Sequence, residues 1–362
     1  MNICVIAGTY KLSGVPLAQL KLAKVLSNLG HTVELIYGDV VEGYQLPKSS
    51  KYKIKCFYKK RVKYILFDLI RLFKKNNFDI IFSAGDHLNI IVLISAIISK
   101  SKAKISCSSR VTPYDVYSKK IFSKGWIMKI LMKLLLNKAD VLSCVSKEMV
   151  DQYREVLGSN KHVCIYNIVK DSESCLLMNE TVNEKWLIEK KEPVIIAAGA
   201  LEKWKGFEDL IHGFNLLLKH KKAKLIILGE GSLYNHLNTL INRLNIEEHV
   251  LLKGNVNNPL KYFNKADVFA LSSHVEGMPN VLIEAMMAGC TPVATDCKTG
   301  PREILKDSSF GYLVKVGDPI SISDGLLQAI NKPVSKAKLN IIVEFFSEKK
   351  IINQHFDYLG IK

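Results

Sequence analysis

The feature that most constrains this chain is an alternation. Short runs of apolar, often β-branched residues are followed by stretches with helical spacing, and the pattern recurs along most of the 362 residues. NICVIA near the start leads through a helical pattern over 16–29 to TVELIY; helical 62–76 leads to DIIFSA, 88–99 to AKISCS, and 121–138 to DVLSCV. A further helix precedes HVCIYN. The strand candidates are apolar throughout, as strands of a parallel sheet covered on both faces are. Such a series predicts an open α/β sheet. Residues 169–192 (VKDSESCLLMNETVNEKWLIEKKE) are polar without strong periodicity and read as a linker. A second series follows, with PVIIAAG, AKLIILG, HVLLKG, ADVFAL and TPVAT separated by helical 206–220, 232–244, 257–265 and 280–288. Two domains are expected, over 1–168 and 193–335, with a helical segment (336–362) packing back on the first. The length suits two separate cores.

Composition narrows the class. A hydrophobic fraction of 48% with 23% charged residues is ordinary for a globular chain. The start, MNICVIAGTY, lacks the basic leader of a secretory signal. The longest apolar stretch, 88–99, is shorter than the ~20 residues of a membrane span. Eight cysteines are scattered without CxxC pairs, which points to a reducing cytosol, no disulfide framework and no zinc site.

The stretch SSHVEGMPNVLIEAMMAG (272–289) places Glu276 and Glu284 eight positions apart. ADVFALSS reads as a strand, so 274–278 is the loop after its carboxyl end, where open parallel sheets bind ligands. Pro279 suits the first turn of a helix, and Gly289 its C-terminus. Gly277 lets backbone approach closely, and the free N–H groups at the helix start favour a phosphate. Glu284, in the second turn, can accept hydrogen bonds from vicinal hydroxyls, as acidic residues do with ribose. Spacing alone leaves the alternative open: a capping loop followed by a solvent-facing Glu.

The wider context carries a family resemblance. E-x7-E within 258–305, AAGALEKWKGFEDLIHGF (197–214), LIILGEGSLYNHL (225–237) and VLLKGNV (250–256) resemble the retaining GT-B glycosyltransferases of family four. GTYKLSGVPLAQLKLAKVLSNLGHTVELI (8–36), VSKEM (145–149) and IYN (165–167) fit that family's first domain. The resemblance implies a GT-B fold, two Rossmann-like domains facing across a cleft. It implies that Glu276 contacts the transferred sugar and Glu284 the nucleotide ribose. Backbone at Gly277, Met278, Pro279 and Asn280 would hold the sugar and diphosphate. Lys205 matches the family's diphosphate lysine, Gly14 its first-domain glycine loop, and Glu303 a position near the donor. Two departures stand out. Ala200 replaces the usual Arg after Gly199, with Lys203 a candidate substitute. The His that many members carry after the fourth strand is absent; Arg110 is nearest in place, and His87 is a second candidate. The family generally needs no metal, and no metal cofactor is expected. The implied reaction moves a hexose or N-acetylhexosamine from a nucleotide sugar, with UDP-sugars favoured, to a hydroxyl with retention of configuration.

Charge adds the partner. Residues 1–170 hold 28 Lys+Arg and 11 Asp+Glu, whereas 171–362 hold 23 of each. KYKIKCFYKKRVK (51–63) has seven basic residues and no acid. IFSKGWIMKILMKLLLNK (121–138) sets Trp126, Ile127, Ile130, Leu131, Leu134 and Leu135 at helical spacing among lysines. A basic helix with a Trp suits an anionic lipid surface; an ordinary core helix with a solvated face is the competing reading. No nucleic-acid motif is present. The expectation is an enzyme peripheral on the inner face of the cytoplasmic membrane. It extends a polyprenyl-diphosphate-linked glycan in bacterial surface polysaccharide assembly. A soluble acceptor, and a non-catalytic nucleotide-sugar or polyanion-binding protein, are the alternatives.

Overall fold

The computed structural model describes residues 1–11 and 14–361. It divides into two compact units: residues 1–168 with 348 onward, and residues 169–347.

The first unit is built on a parallel sheet. Its strands are β1 (Asn2–Tyr10), β2 (Thr32–Val40), β3 (Lys53–Cys56), β4 (Ile80–Ala84), β5 (Lys104–Ser109), β6 (Val141–Cys144) and β7 (His162–Cys164), in spatial order β3-β2-β1-β4-β5-β6-β7. Register runs Ile3 with Val33 and with Ile80, so the central strands are paired on both edges. The connection from β1 to β2 steps one way across the sheet, and those from β3 onward step the other way. Right-handed crossovers therefore put their helices on opposite faces. Helix Gly14–Asn28 covers one face through Leu22, Val25 and Leu26. Helix Glu348–Leu359 joins the same core through Ile351, Ile352 and Leu359. In the other layer, helices Leu66–Lys75 and Lys124–Leu135 flank helix Asp86–Ser99. Local chemistry starts several helices: Ser123 Oγ accepts from Trp126 N, and Ser146 Oγ from Met149 N.

The second unit has β8 (Val194–Ala198), β9 (Lys224–Leu228), β10 (Val250–Gly254), β11 (Val268–Leu271), β12 (Thr291–Thr295) and β13 (Tyr312–Val314), in order β10-β9-β8-β11-β12-β13, again parallel. β11 and β12 are buried at every position, as strands of a parallel sheet covered on both faces are.

Two sequence readings need correction. Residues 169–192 are not a bare linker; they form helices Ser172–Met178 and Lys185–Ile188 and belong to the second unit. Asp171 caps the first helix, and Asn258 Nδ2 donates to Leu177 O at 2.9 Å. Lys253 pairs with Glu184 at 2.8 Å. Helices this short show no periodicity to read. The segment 336–362 divides: helix Lys336–Val343 packs against helix Asn280–Ala288 in the second unit, and only residues from 348 lie in the first. Within the basic run 51–63, KIKC is the edge strand β3, with Lys55 paired to Glu34. Lysines on an edge strand block further strand pairing. Helix Lys124–Leu135 buries Met128 and Met132 and leaves Ile127, Ile130 and Leu134 exposed.

Candidate functional site

In the second unit the chain lays down β8, builds β9 and β10 to one side, then crosses to β11 on the other. Between β8 and β11 the connections leave in opposite directions, which opens a crevice at the carboxyl ends of the strands. The loops after these two strands carry Lys205 and Glu276.

After β8 the chain makes a tight turn, Lys203–Lys205, and enters helix Phe207–Leu218 at Gly206. Gly206 holds φ +63, and a Cβ there would run into the carbonyl oxygen of Ser272. Only glycine allows the two loops to touch in this way. They are also fastened chemically. Ser272 Oγ donates to Lys205 O at 2.9 Å, and His274 N to Trp204 O at 2.8 Å. His274 Nε2 lies 2.6 Å from Asp209 Oδ2, on the first turn of the helix.

This fastening delivers an ion pair. Lys205 Nζ lies 2.5 Å from Glu276 Oε1, with side chains 21% and 11% exposed. Ser273 Oγ donates to the same carboxylate oxygen at 2.6 Å. Ser273 is itself fixed, since Thr295 Oγ1, at the end of β12, donates to its carbonyl at 2.5 Å. Thr299 Oγ1 donates to the carbonyl of Glu276. Next to it Gly300, at φ +91, brings the loop after β12 against Gly277 and Pro279; a Cβ would lie 2.7 Å from Gly277 O. Burial pushes the Cys297 thiol up to about 11, with the Glu276 charge adding to it, so this cysteine stays protonated.

Helix Asn280–Ala288 begins after Pro279, with no side-chain cap there. Met278 and Pro279 are buried, and Gly277 is half-buried. Leu282, Ile283, Ala285 and Met286 face the core, leaving Asn280, Val281 and Glu284 on one half-buried face at helical spacing. A carboxylate two turns into an apolar helix is thus carried on the side away from the core. Glu303 is half-buried in helix Pro301–Leu305. Its neighbour Arg302 is committed to Asp296 (Nε–Oδ1 3.0 Å) and to Asp307 (2.7 Å). Lys203 is exposed on the turn beside Lys205, and Ala200 is exposed as well.

The remaining candidates lie in the first unit. Gly14 is exposed at the start of helix Gly14–Asn28, and a Cβ there would meet open space. His87 is exposed on the first turn of helix Asp86–Ser99; partial burial lowers its pKa, and Lys124 adds to the effect. Arg110 follows β5. Its Nη1 donates to Asn167 Oδ1, its Nε is buried without a partner, and burial lowers its pKa to about 10, which leaves it charged at neutral pH.

The structure therefore brings Glu276, Lys205 and the 277–280 backbone together, with Glu284 one turn further along the helix. Sequence reasoning passed over Ser273, Thr299, His274 and Asp209. The first two signal only as small polar residues at strand ends. The last two are 65 positions apart, and nothing local connects them. Among the described residues no group of three or more His, Cys, Asp or Glu is placed to hold a metal ion.

Comparison with known proteins adds to this geometry. Residues 178–342 match the family described as glycosyl transferases group 1, and residues 13–173 match glycosyltransferase family 4. The chain is 34% identical over 267 residues to the N-acetylgalactosamine-N,N'-diacetylbacillosaminyl-diphospho-undecaprenol 4-alpha-N-acetylgalactosaminyltransferase of Campylobacter jejuni, covering 72% of this chain and 70% of that one. It is 27% identical to the amylovoran biosynthesis glycosyltransferase AmsD of Erwinia amylovora, over 86% and 85% of the two chains. Among solved structures, HepE from Anabaena in complex with UDP superposes with TM-score 0.81 at 18% identity, over 99% of this chain and 100% of that one. The lipopolysaccharide outer core galactosyltransferase WaaB superposes with TM-score 0.75 at 17% identity, over 99% of each.

Proposed function

We propose, from the premise that the chain belongs to the GT-B glycosyltransferases of family four, that it transfers a hexose or N-acetylhexosamine from a UDP-sugar to a hydroxyl of a polyprenyl-diphosphate-linked glycan. The reading places it at the inner face of a bacterial cytoplasmic membrane, in surface polysaccharide assembly. The observation that carries the chemistry is the Lys205–Glu276 pair, held at a topological switch point beside a helix N-terminus. The lipid-linked acceptor draws support from the Campylobacter relative and the UDP donor from the HepE complex.

In this mechanism the donor diphosphate lies over the start of helix Asn280–Ala288, where unsatisfied N–H groups and the helix dipole meet negative charge. The Lys205 ammonium turns toward the diphosphate as the glycosidic bond breaks and charge builds on the leaving phosphate. Glu276, freed from the lysine, accepts hydrogen bonds from hydroxyls of the sugar and fixes its orientation. Glu284 does the same for the ribose. The acceptor oxygen attacks the anomeric carbon from the face the nucleotide leaves. The bond from that carbon to the β-phosphate oxygen breaks, and the acceptor proton passes to the departing phosphate. Configuration is retained.

The test is transfer by the purified protein across UDP- and GDP-sugars, with a polyprenyl-diphosphate sugar in detergent. The expected result is turnover of one donor that requires the lipid acceptor and is lost in Glu284→Ala. Turnover with a soluble acceptor alone overturns the lipid reading, and nucleotide binding without transfer to any acceptor overturns the enzyme reading.

A further inference from the structure

Two cavities adjoin at the end of the second sheet away from Lys205 and Glu276. The larger, about 410 Å³, lies at the amino ends of β8, β11 and β12, where Lys190, Asp267, Gly289 and Thr291 line it. The smaller, about 310 Å³, lies where β9 starts and is lined by Lys185, Trp186, Glu189 and Lys224. Lys191 and Glu192 line both. Each volume is in the range of small-molecule sites. From Asp267 to Ser272 the chain runs the length of β11, roughly 16 Å, so these cavities are separate from the loop that carries Glu276.

Packing leaves two of the lining residues unexplained. The first is Trp186. Helix Lys185–Ile188 is anchored by Leu187, which is buried, and by the Glu184–Lys253 pair just before it. Its tryptophan stays half-buried on the cavity wall. Lys224 Nζ sits 4.9 Å from the indole centroid and donates to Glu248 O at 2.7 Å, so the ring is steadied from one side. The second is Glu192. Its Oε2 is buried and accepts no hydrogen bond among the described residues; Lys224 Nζ is 3.9 Å away, beyond hydrogen-bond reach. A buried carboxylate oxygen without a donor is costly, and a ligand hydroxyl supplies one.

The charge on the walls selects the ligand. Lys190 pairs with Asp267 at 2.6 Å, and Lys185 lies 4.0 Å from Glu189. Helices Asn280–Ala288 and Pro319–Asn331 both end at the larger cavity, which adds the negative ends of their dipoles. A phosphate-bearing ligand would meet three carboxylates and two helix C-termini, and is disfavoured. A purely apolar ligand would leave the polar walls unpaired. A neutral molecule with an apolar face and a hydroxyl edge satisfies both walls, and a pyranose ring has that surface.

We propose that the two cavities form one groove that binds a neutral oligosaccharide, with a sugar ring stacked on Trp186 and its hydroxyls held by Glu192 and Lys191. The indole takes the C–H face of the ring. Glu192 accepts from hydroxyls, and the exposed Lys191 ammonium donates to them. Adjoining cavities take successive sugars of one chain. The inference rests on the glycan-extending reading for the source of its ligand, since the groove would hold a part of the glycan remote from the reacting hydroxyl; its readout is binding alone.

The test is titration of the isotope-labelled full chain with maltotetraose, cellotetraose and chitotetraose, each raised to about 10 mM. The indole N–H signals of the three tryptophans are followed, each assigned by its Trp→Phe variant. The expected result is a saturable shift of the Trp186 signal with at least one tetrasaccharide. Trp186→Ala, read from the remaining backbone signals of the groove, should weaken binding by at least about tenfold. Glu192→Gln keeps the shape and should weaken it by about fivefold. Unchanged spectra away from the groove serve as the folding control for both variants. No saturable shift at Trp186 with any of the three, shifts confined to Trp126 or Trp204, or variants that bind like the wild type would overturn the groove. Displacement of the tetrasaccharide from Trp186 by UDP or inorganic phosphate would show an anion site and overturn it too. If Trp186 responds as described but no donor sugar is transferred, the function proposed above fails and the groove stands. If transfer occurs and Trp186 is silent, the groove alone fails.

Discussion

Glu276→Gln should have opposite effects on two measurements. The Lys205 ammonium is engaged by Glu276 at 2.5 Å. In the proposed mechanism a nucleoside diphosphate takes the lysine from that carboxylate. Two unit charges at this distance attract by about 1.7 kcal/mol in water's dielectric and about 6.6 kcal/mol at an effective constant of 20. With 21% and 11% of the side chains exposed, the environment lies between these limits. Desolvation cancels much of the attraction, leaving a net competition of about 1–2 kcal/mol. Glutamine keeps the shape and can still accept from Ser273 Oγ, but it releases the lysine. UDP should therefore bind the variant about tenfold more tightly. Transfer from the full donor should fall by about a hundredfold or more, because the sugar loses its carboxylate. Isothermal titration with UDP and initial rates with the donor read the two effects. Unchanged or weaker UDP binding would show that the pair does not compete with the diphosphate, and the proposed exchange of partners would be wrong.

Other perturbations test other parts of the structure. Gly206→Ala should destabilise the second unit by about 3 kcal/mol, since it combines a disfavoured φ with a clash against Ser272 O; the urea midpoint checks it. His274→Ala should lower kcat/KM about tenfold through loss of the Asp209 contact that fixes the Glu276 loop, with nucleotide affinity largely kept; Asp209→Asn should have a similar but smaller effect. Acid should weaken the first unit. Burial lowers His162 to about 4 and His355 to about 3, with Arg154 and Arg110 respectively adding to the shift. The folded state thus binds fewer protons than the unfolded state, so their stability is present above about pH 6.5 and is lost as pH falls toward the folded values. Acidification from pH 7 to 5 should cost about 2 kcal/mol per histidine. His355→Phe, packed against the Phe82 ring, should remove about half of that loss in denaturation curves taken at the two pH values.

Sequence reading succeeded where period and burial agree. The central strands are buried on both faces and announce themselves as unbroken apolar runs. It failed where a segment is too short or lies at an edge. β3 shows alternating half-buried and exposed residues and was hidden inside a basic run, and β13 has only three residues. Helix Lys185–Ile188 spans one turn, too short for any period to appear. The grouping of Glu276, Glu284 and the 277–280 backbone was legible because one loop and one helix carry them. The partnership of Lys205 with Glu276 was not legible as a contact. It exists because β8 and β11 are neighbours in space, whereas 71 positions separate the two side chains in the chain.

The helix Glu348–Leu359 has a consequence for how the protein is made. Ile351, Ile352 and Leu359 complete a core whose other buried members, from Ile3 to Ile168, are synthesised well before them. The second unit is contiguous from 169 to 347, so every residue of its core exists before that helix does. On the ribosome the usual order, in which the N-terminal domain finishes first, is therefore reversed. The first unit must wait with one apolar face of its sheet only partly covered until residues 348–359 have been joined. During that interval it is the half of the nascent chain most open to chaperones and to aggregation.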